Sequence, residues 1–143
     1  MIAIGCDHGG YELKCRIVKH LEDRGIECKD FGCYSKRSVD YPEYGHAVAK
    51  SVAAGECALG IVICTTGIGM SIAANKVKGI RAALCSDSLS ASLTRLHNNA
   101  NVLALGAGIV GEKLAIQIVD TFIDTDFSKE ERHARRVSMI EEV

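Results

Sequence analysis

Cys64 closes an apolar, β-branched run, Ile61-Val-Ile-Cys64, and is followed by Thr65-Thr66-Gly67-Ile68-Gly69-Met70-Ser71. A thiol at that junction has the chemistry of a nucleophile or a base. The run predicts a buried strand, the glycines a tight loop, and the residues after them a helix N-terminus. Free backbone N–H groups of residues 67 to 71, at the positive end of a helix dipole, suit an oxyanion beside that thiol. The alternative is a cysteine that merely packs at a strand end, since unpaired Cys is among the most buried residue types. The loop is not a P-loop, because no Gly-Lys-Ser/Thr follows. It is also a poor dinucleotide fingerprint, because Ile72 occupies the third glycine position.

Three further polar groups carry chemistry. Asp7-His8-Gly9-Gly10 follows the first apolar run directly, where loops of an open parallel sheet line the ligand crevice. Asp7 reads either as a crevice residue or as a cap of the first helix. Arg95-Leu96-His97-Asn98-Asn99 ends a predicted helix, where His also serves the helix dipole; the neighbouring Asn98, Asn99 and Asn101 give it weight. Arg132 and Arg136 are four apart on a last helix, one turn above each other. Two guanidinium forks so placed suit a dianionic phosphate. The alternative is a solvated face paired with Glu130, Glu131 and Glu141.

The elements that must position these groups alternate along the chain. Strands are predicted at 1–5, 26–31, 59–64, 80–85 and 102–105. Helices are predicted at 11–24 (stripe Leu13, Ile17, Val18, Leu21), around Ala47 to Ala53, and at 69–75, 89–97 and 112–123. Residues 32–44 read as a long polar loop holding the single proline, Pro42. Ser128-Lys-Glu-Glu131 reads as a capping box that starts a final helix. The expected fold is a Rossmann-like three-layer α/β sandwich: a five-stranded parallel sheet, helices on both faces, and an extra C-terminal helix.

The 143 residues favour one domain, 1–143, able to bury a core without staples. A net charge of −1 argues against nucleic acid as the main partner. No apolar run approaches the about 18 residues of a membrane span, so no membrane is expected as a partner. The N-terminus, Met1-Ile-Ala-Ile-Gly5, lacks a charged region and a cleavage site, so a cytoplasmic protein is expected. None of the seven cysteines (6, 15, 28, 33, 57, 64, 85) is spaced C-x-x-C, which excludes zinc-ribbon and thioredoxin-like sites. Cys6, Cys15, Cys28, Cys57 and Cys85 fall at apolar positions of predicted elements and read as packed small hydrophobes.

Taken in order, the motifs resemble a known family. They are Gly-Cys-Asp-His-Gly-Gly (5–10), Ser-Val-Asp-Tyr-Pro (38–42), Cys-Thr-Thr-Gly-Ile-Gly-Met-Ser-Ile-Ala-Ala-Asn-Lys (64–76), Gly-Ile-Arg-Ala-Ala (79–83), His-Asn-Asn-Ala-Asn-Val (97–102) and Arg-His-x-x-Arg (132–136). The chain resembles, from Ile2 to about Val137, the family of B-type ribose-5-phosphate isomerases and galactose-6-phosphate isomerase subunits. The resemblance implies reversible isomerisation of ribose 5-phosphate and ribulose 5-phosphate, in the non-oxidative branch of the pentose phosphate pathway, with no metal and no organic cofactor. Allose 6-phosphate or galactose 6-phosphate is the alternative substrate.

By resemblance, Cys64 is the base that moves a proton between C1 and C2 through a cis-enediolate. The loop Gly67, Ile68, Gly69, Met70 and Ser71 holds the enediolate oxygen, and Thr66 positions or relays a proton. Asp7 binds substrate hydroxyls and shuttles a proton between oxygens. His97 opens the furanose ring as general acid and Asn98 contacts the sugar. His8, Arg132 and Arg136 bind phosphate. The resemblance further implies a homodimer, or a dimer of dimers, whose site is shared between chains.

Three positions depart from the family pattern. Thr65 replaces a usual Gly, Leu96 replaces a charged or polar residue, and Gly108 replaces an Arg that contacts phosphate in the ribose-phosphate enzymes. Two other readings remain on the residues: a nucleotide-binding or redox protein with a reactive Cys64, and a non-catalytic partner subunit, which the glycine at 108 keeps open.

Overall fold

The computed structural model describes residues 1–143. Five strands, β1 (Ile2–Cys6), β2 (Cys28–Asp30), β3 (Leu59–Cys64), β4 (Ala82–Leu84) and β5 (Val102–Gly106), alternate with six helices. These are α1 (Tyr11–Asp23), α2 (Tyr41–Ala53), α3 (Ile68–Asn75), α4 (Ser88–Asn98), α5 (Glu112–Asp124) and α6 (Glu131–Glu141). All pairings are parallel, in the order β2-β1-β3-β5-β4. No helix is long and apolar enough to cross a membrane.

Strand alternation divides the core in two. Ile4, Ile61, Ile63, Leu103 and Leu105 point to one face, against Ile17 and Leu21 of α1 and Ile118 and Phe122 of α5. Ala3, Val62, Cys64, Val102 and Ala104 point to the other, against Val48 and Ala49 of α2 and Met70 and Ala74 of α3. A period of two on strands covered on both faces requires the continuous apolar runs seen in the sequence. Each fully buried Ile or Leu contributes about 1.5–3 kcal/mol. Helix α2 lies close on its face because Gly5 and Gly60 carry no side chain; a Cβ on either would meet Val48 at 2.8 Å.

The chain winds from β1 outward to β2, then returns past β1 to β3. The crevice of such a sheet opens where the winding reverses, between the carboxyl ends of β1 and β3. Asp7 follows β1 and Cys64 ends β3, so both sit at that point.

Several expectations are corrected. Residues 32–44 are not all loop: α2 starts at Tyr41, with Pro42 in its first turn, where a missing N–H costs nothing. The capping box does not form. Ser128 Oγ pairs with His133 Nδ1 at 2.8 Å and accepts the Glu130 N–H at 3.2 Å. Glu130 is the N-cap, with no side-chain cap bond. Cys15 is exposed rather than packed, two residues from Leu13 and so off the apolar stripe, and Cys28 is only half-buried. Of the expected strands 26–31 and 80–85, residues 26–27, 31, 80–81 and 85 lie outside the short edge strands β2 and β4. All seven cysteines are free thiols.

Candidate active site

The floor of the crevice is made by two strand ends. The Asp7 N–H donates to the Ile63 carbonyl at 3.1 Å, which ties the two ends together. Asp7 is buried, and its Oδ1 accepts the N–H groups of Gly9 (2.9 Å) and Gly10 (3.2 Å). It therefore caps the short 3-10 turn His8–Gly10 rather than α1 itself. One carboxylate oxygen is fixed by backbone donors, while Oδ2 makes no hydrogen bond within the chain.

Cys64 is 6 % exposed, and its Sγ accepts the Gly67 N–H at 3.1 Å. That bond strengthens when the sulfur carries charge. Gly67 makes it by adopting φ +77°. The loop offers fewer free donors than the sequence suggested. The Gly67 N–H is taken by Sγ, the Ile68 N–H by Thr66 Oγ1 (3.2 Å) and the Ser71 N–H by the Gly67 carbonyl (3.0 Å). The N–H groups of Gly69 and Met70 remain without a partner, as the first turn of α3 requires. The Met70 side chain is fully buried in the core, so only its backbone faces the site.

His8 is held from the loop before α2. The Val39 N–H donates to His8 Nδ1 at 3.1 Å. An Nδ1 that accepts assigns the ring proton to Nε2, which is then left as a donor. The same loop is anchored to β1: the Cys6 N–H donates to the Gly32 carbonyl (2.6 Å) and the Cys33 N–H to the Cys6 carbonyl (2.8 Å). Beneath it, the buried Lys14 ammonium donates to Asp30 Oδ1 (2.8 Å) and to the Cys33 carbonyl (2.6 Å), between the rings of Tyr11 and Tyr34. A buried cation so satisfied fixes this segment, since removing Asp30 would leave the charge buried and unpaired.

Tyr41 is a wall of the site that the residue-by-residue reading left without a role. Its ring lies over Gly69, where a Cβ would meet it at 2.6 Å. The signal was present in Ser-Val-Asp-Tyr-Pro, but contact with a loop 28 residues away is tertiary.

The other sequence-predicted residues lie elsewhere in the chain. Helix α4 starts after the carboxyl end of β4 and ends before the amino end of β5. His97 and Asn98 therefore sit at the opposite edge of the sheet from Cys64, a strand length away, on the order of 15 Å. Both are exposed. The His97 ring packs on that of His133 of α6, with centroids 4.5 Å apart. Arg132 pairs with Glu130 at 3.0 Å, Glu131 pairs with Arg135 and Glu141 with Arg81, and Arg136 has no acidic partner. The sequence-predicted residues thus fall into two separate groups within the chain. Asp7, His8, Cys64, Thr66 and residues 67–71 form one; His97, Asn98, Arg132 and Arg136 belong to the other. No cluster of three or more His, Cys, Asp or Glu side chains converges as a metal site.

The chain is similar to known proteins over nearly its whole length. The family model described as Ribose/Galactose Isomerase matches residues 2–140. Ribose-5-phosphate isomerase B of Escherichia coli K12 is 51 % identical over 139 residues, which is 97 % of this chain and 93 % of the relative. The solved structure of ribose-5-phosphate isomerase B from Clostridium thermocellum superposes with a TM-score of 0.97 at 55 % identity, covering 99 % of this chain and 95 % of that one. The type B ribose 5-phosphate isomerase of Trypanosoma brucei gives 0.95 at 46 % identity, covering 98 % and 95 %.

Proposed function

This chain belongs to the ribose/galactose isomerase family, and on that premise we propose that it interconverts ribose 5-phosphate and ribulose 5-phosphate in the cytoplasm, as one domain. The observation that carries the reading is the meeting of Asp7 and Cys64 at the reversal point of the sheet, beneath two unpartnered N–H groups.

Cys64 acts as the base. As thiolate it takes the C2 proton of the open-chain aldose and, as thiol, returns it to C1, so the carbon-bound proton moves through a cis-enediolate. The N–H groups of Gly69 and Met70 hold the oxygen on which charge develops. Asp7 Oδ2, left free by the capping bonds of Oδ1, carries a proton between O1 and O2. Thr66 positions the loop through the Ile68 N–H. His8 donates from Nε2 to the phosphate.

A second copy supplies the rest: His97 to open the ring, Asn98 to bind the sugar, and Arg132 and Arg136 to bind the phosphate. Two features support a homodimer or a dimer of dimers. The two groups cannot meet within one chain. Around the Cys64 loop, Ile68, Ile72, Leu84, Leu89 and Ile109 are exposed, an apolar rim of the kind partner chains cover.

The test is turnover of the pure protein on ribose 5-phosphate, allose 6-phosphate and galactose 6-phosphate, beside Cys64→Ala. Ribose 5-phosphate is expected to be the best substrate. Cys64→Ala is expected to lose about 100- to 10,000-fold in kcat while still binding it. A fully active Cys64→Ala protein would overturn the mechanism. Preference for a six-carbon phosphate would move the substrate to the galactose branch of the family.

A further inference from the structure

Thr65 has no part in the mechanism above, yet its side chain is wedged into the crevice wall. It is exposed, between the turn His8–Gly10 and the residues after β5. Its two branches face two glycines. A Cβ added to Gly9 would stand 2.3 Å from Thr65 Oγ1 and 3.3 Å from Asp7 Oδ1. A Cβ added to Gly108 would stand 3.0 Å from Thr65 Cγ2 and 3.1 Å from the Thr65 carbonyl oxygen, which itself accepts the Gly108 N–H at 2.8 Å.

Neither Gly9 nor Gly108 has a positive φ. Backbone conformation therefore does not demand glycine at either position; Thr65 blocks a side chain at Gly9 and leaves only a tight fit for one at Gly108. The hydroxyl lies over the turn that carries His8, beside the capping oxygen of Asp7. The Thr66 hydroxyl is occupied by the Ile68 N–H, whereas that of Thr65 makes no hydrogen bond within the chain. On the proposed function His8 of that turn meets the phosphate, and toward an anion a free hydroxyl can only donate. The methyl group, on the other branch, lies against Gly108, the position at which, by the family resemblance, an arginine contacts phosphate.

We propose that Thr65 is a substrate-contacting, specificity-determining residue: its hydroxyl donates to the phosphate of the sugar phosphate, and its methyl shortens the crevice over Gly108 to fit a five-carbon chain. The inference rests on the isomerase reading and deepens it. Thr65 and Gly108 act as a pair, a neutral donor held by the first loop replacing a cation held by the second.

The experiment compares wild type, Thr65→Val and Thr65→Ser on ribose 5-phosphate and allose 6-phosphate, with inorganic phosphate as competitive inhibitor. Thr65→Val keeps the shape and loses the donor. KM for ribose 5-phosphate and Ki for inorganic phosphate are both expected to rise about 10-fold, with kcat changed far less, since one hydrogen bond to an ionised group is lost. Thr65→Ser keeps the donor and loses the methyl. It is expected to hold both constants within about threefold, and to raise kcat/KM on allose 6-phosphate about 3- to 10-fold by removing one methyl from the crevice end. Wild-type KM and Ki in Thr65→Val would overturn the donor role, as would an equal rise in Thr65→Ser. No gain on allose 6-phosphate in Thr65→Ser would overturn the shortened crevice. These outcomes are distinct from failure of the isomerase reading, in which wild type itself turns over no sugar phosphate and the inference falls with it.

Discussion

Gly67→Ala and Gly55→Ala make a matched pair that separates backbone strain from packing. Both glycines have φ +77°. Nothing lies within 4 Å of a Cβ added at Gly55. At Gly67 the added Cβ would stand 2.5 Å from Leu84 Cδ1, 2.8 Å from the Leu105 carbonyl carbon and 3.0 Å from the Gly106 nitrogen. An alanine in the left-handed region costs about 1–2 kcal/mol, which is the whole loss expected for Gly55→Ala. Gly67→Ala adds overpacking against the backbone of β5, about 1–3 kcal/mol, for a total of about 2–5 kcal/mol. A domain stable by about 5–15 kcal/mol should survive either change. Urea denaturation at unchanged m measures both losses. Activity should separate them further. The Gly67 N–H is the donor to Cys64 Sγ at 3.1 Å, and moving it is expected to lower kcat about 100-fold, the scale of one lost anion donor. Gly55 ends α2 at the far edge of the sheet, and its variant should turn over as wild type does. Equal stability losses in the two variants would refute the packing argument. A fully active Gly67→Ala protein would refute the claim that the thiol needs this loop shape.

Two other predictions concern titrating groups. Burial, with His97 and Arg132 alongside, holds the His133 imidazole below the usual histidine range. The unfolded chain then binds a proton near pH 6.5 that the folded chain does not. The stability tied to His133 is complete above about pH 6.5 and lost as pH falls through the depressed folded value. Urea midpoints between pH 8 and pH 5 should fall with pH, and His133→Gln should flatten the fall; an unchanged slope would count against it. Burial also pushes the Cys6 thiol up to about 12 and the Cys85 thiol to about 11. With iodoacetamide at pH 8, mass spectrometry should find exposed Cys15 modified well before Cys6 or Cys85, and simultaneous labelling would contradict the burial described.

Periodicity made most of the fold legible. Ile61, Val62 and Ile63 are all buried because their strand is covered on both faces, and a continuous apolar run says so directly. What escaped were features decided by a distant partner. Ser128 and Glu131 have the spacing of a capping box, but the buried His133 claims the hydroxyl first. The start of α2 at Tyr41 was hidden because its first turn, Tyr-Pro-Glu-Tyr, has no apolar stripe. In the site, the Cys64 loop and the Asp7 turn could be read from glycines and strand ends. The ring of Tyr41 over Gly69, and the fit of Thr65 between Gly9 and Gly108, needed coordinates. The strand order, which brings Asp7 and Cys64 together, also came only with the sheet.

The placement of Cys64 and His97 at opposite edges of one sheet has a genetic consequence. Under the shared-site reading, each chain keeps the thiol it carries and lends the imidazole. A chain with Cys64→Ala still lends a sound His97, and a chain with His97→Asn still keeps a sound Cys64. In a mixed pair both defects fall in one site, and the other site is whole. Random pairing makes about half of the dimers mixed, so two alleles that each give nothing would together restore about one quarter of the wild-type rate. Under that reading, complementation between two null alleles of a single gene traces to where one sheet begins and ends.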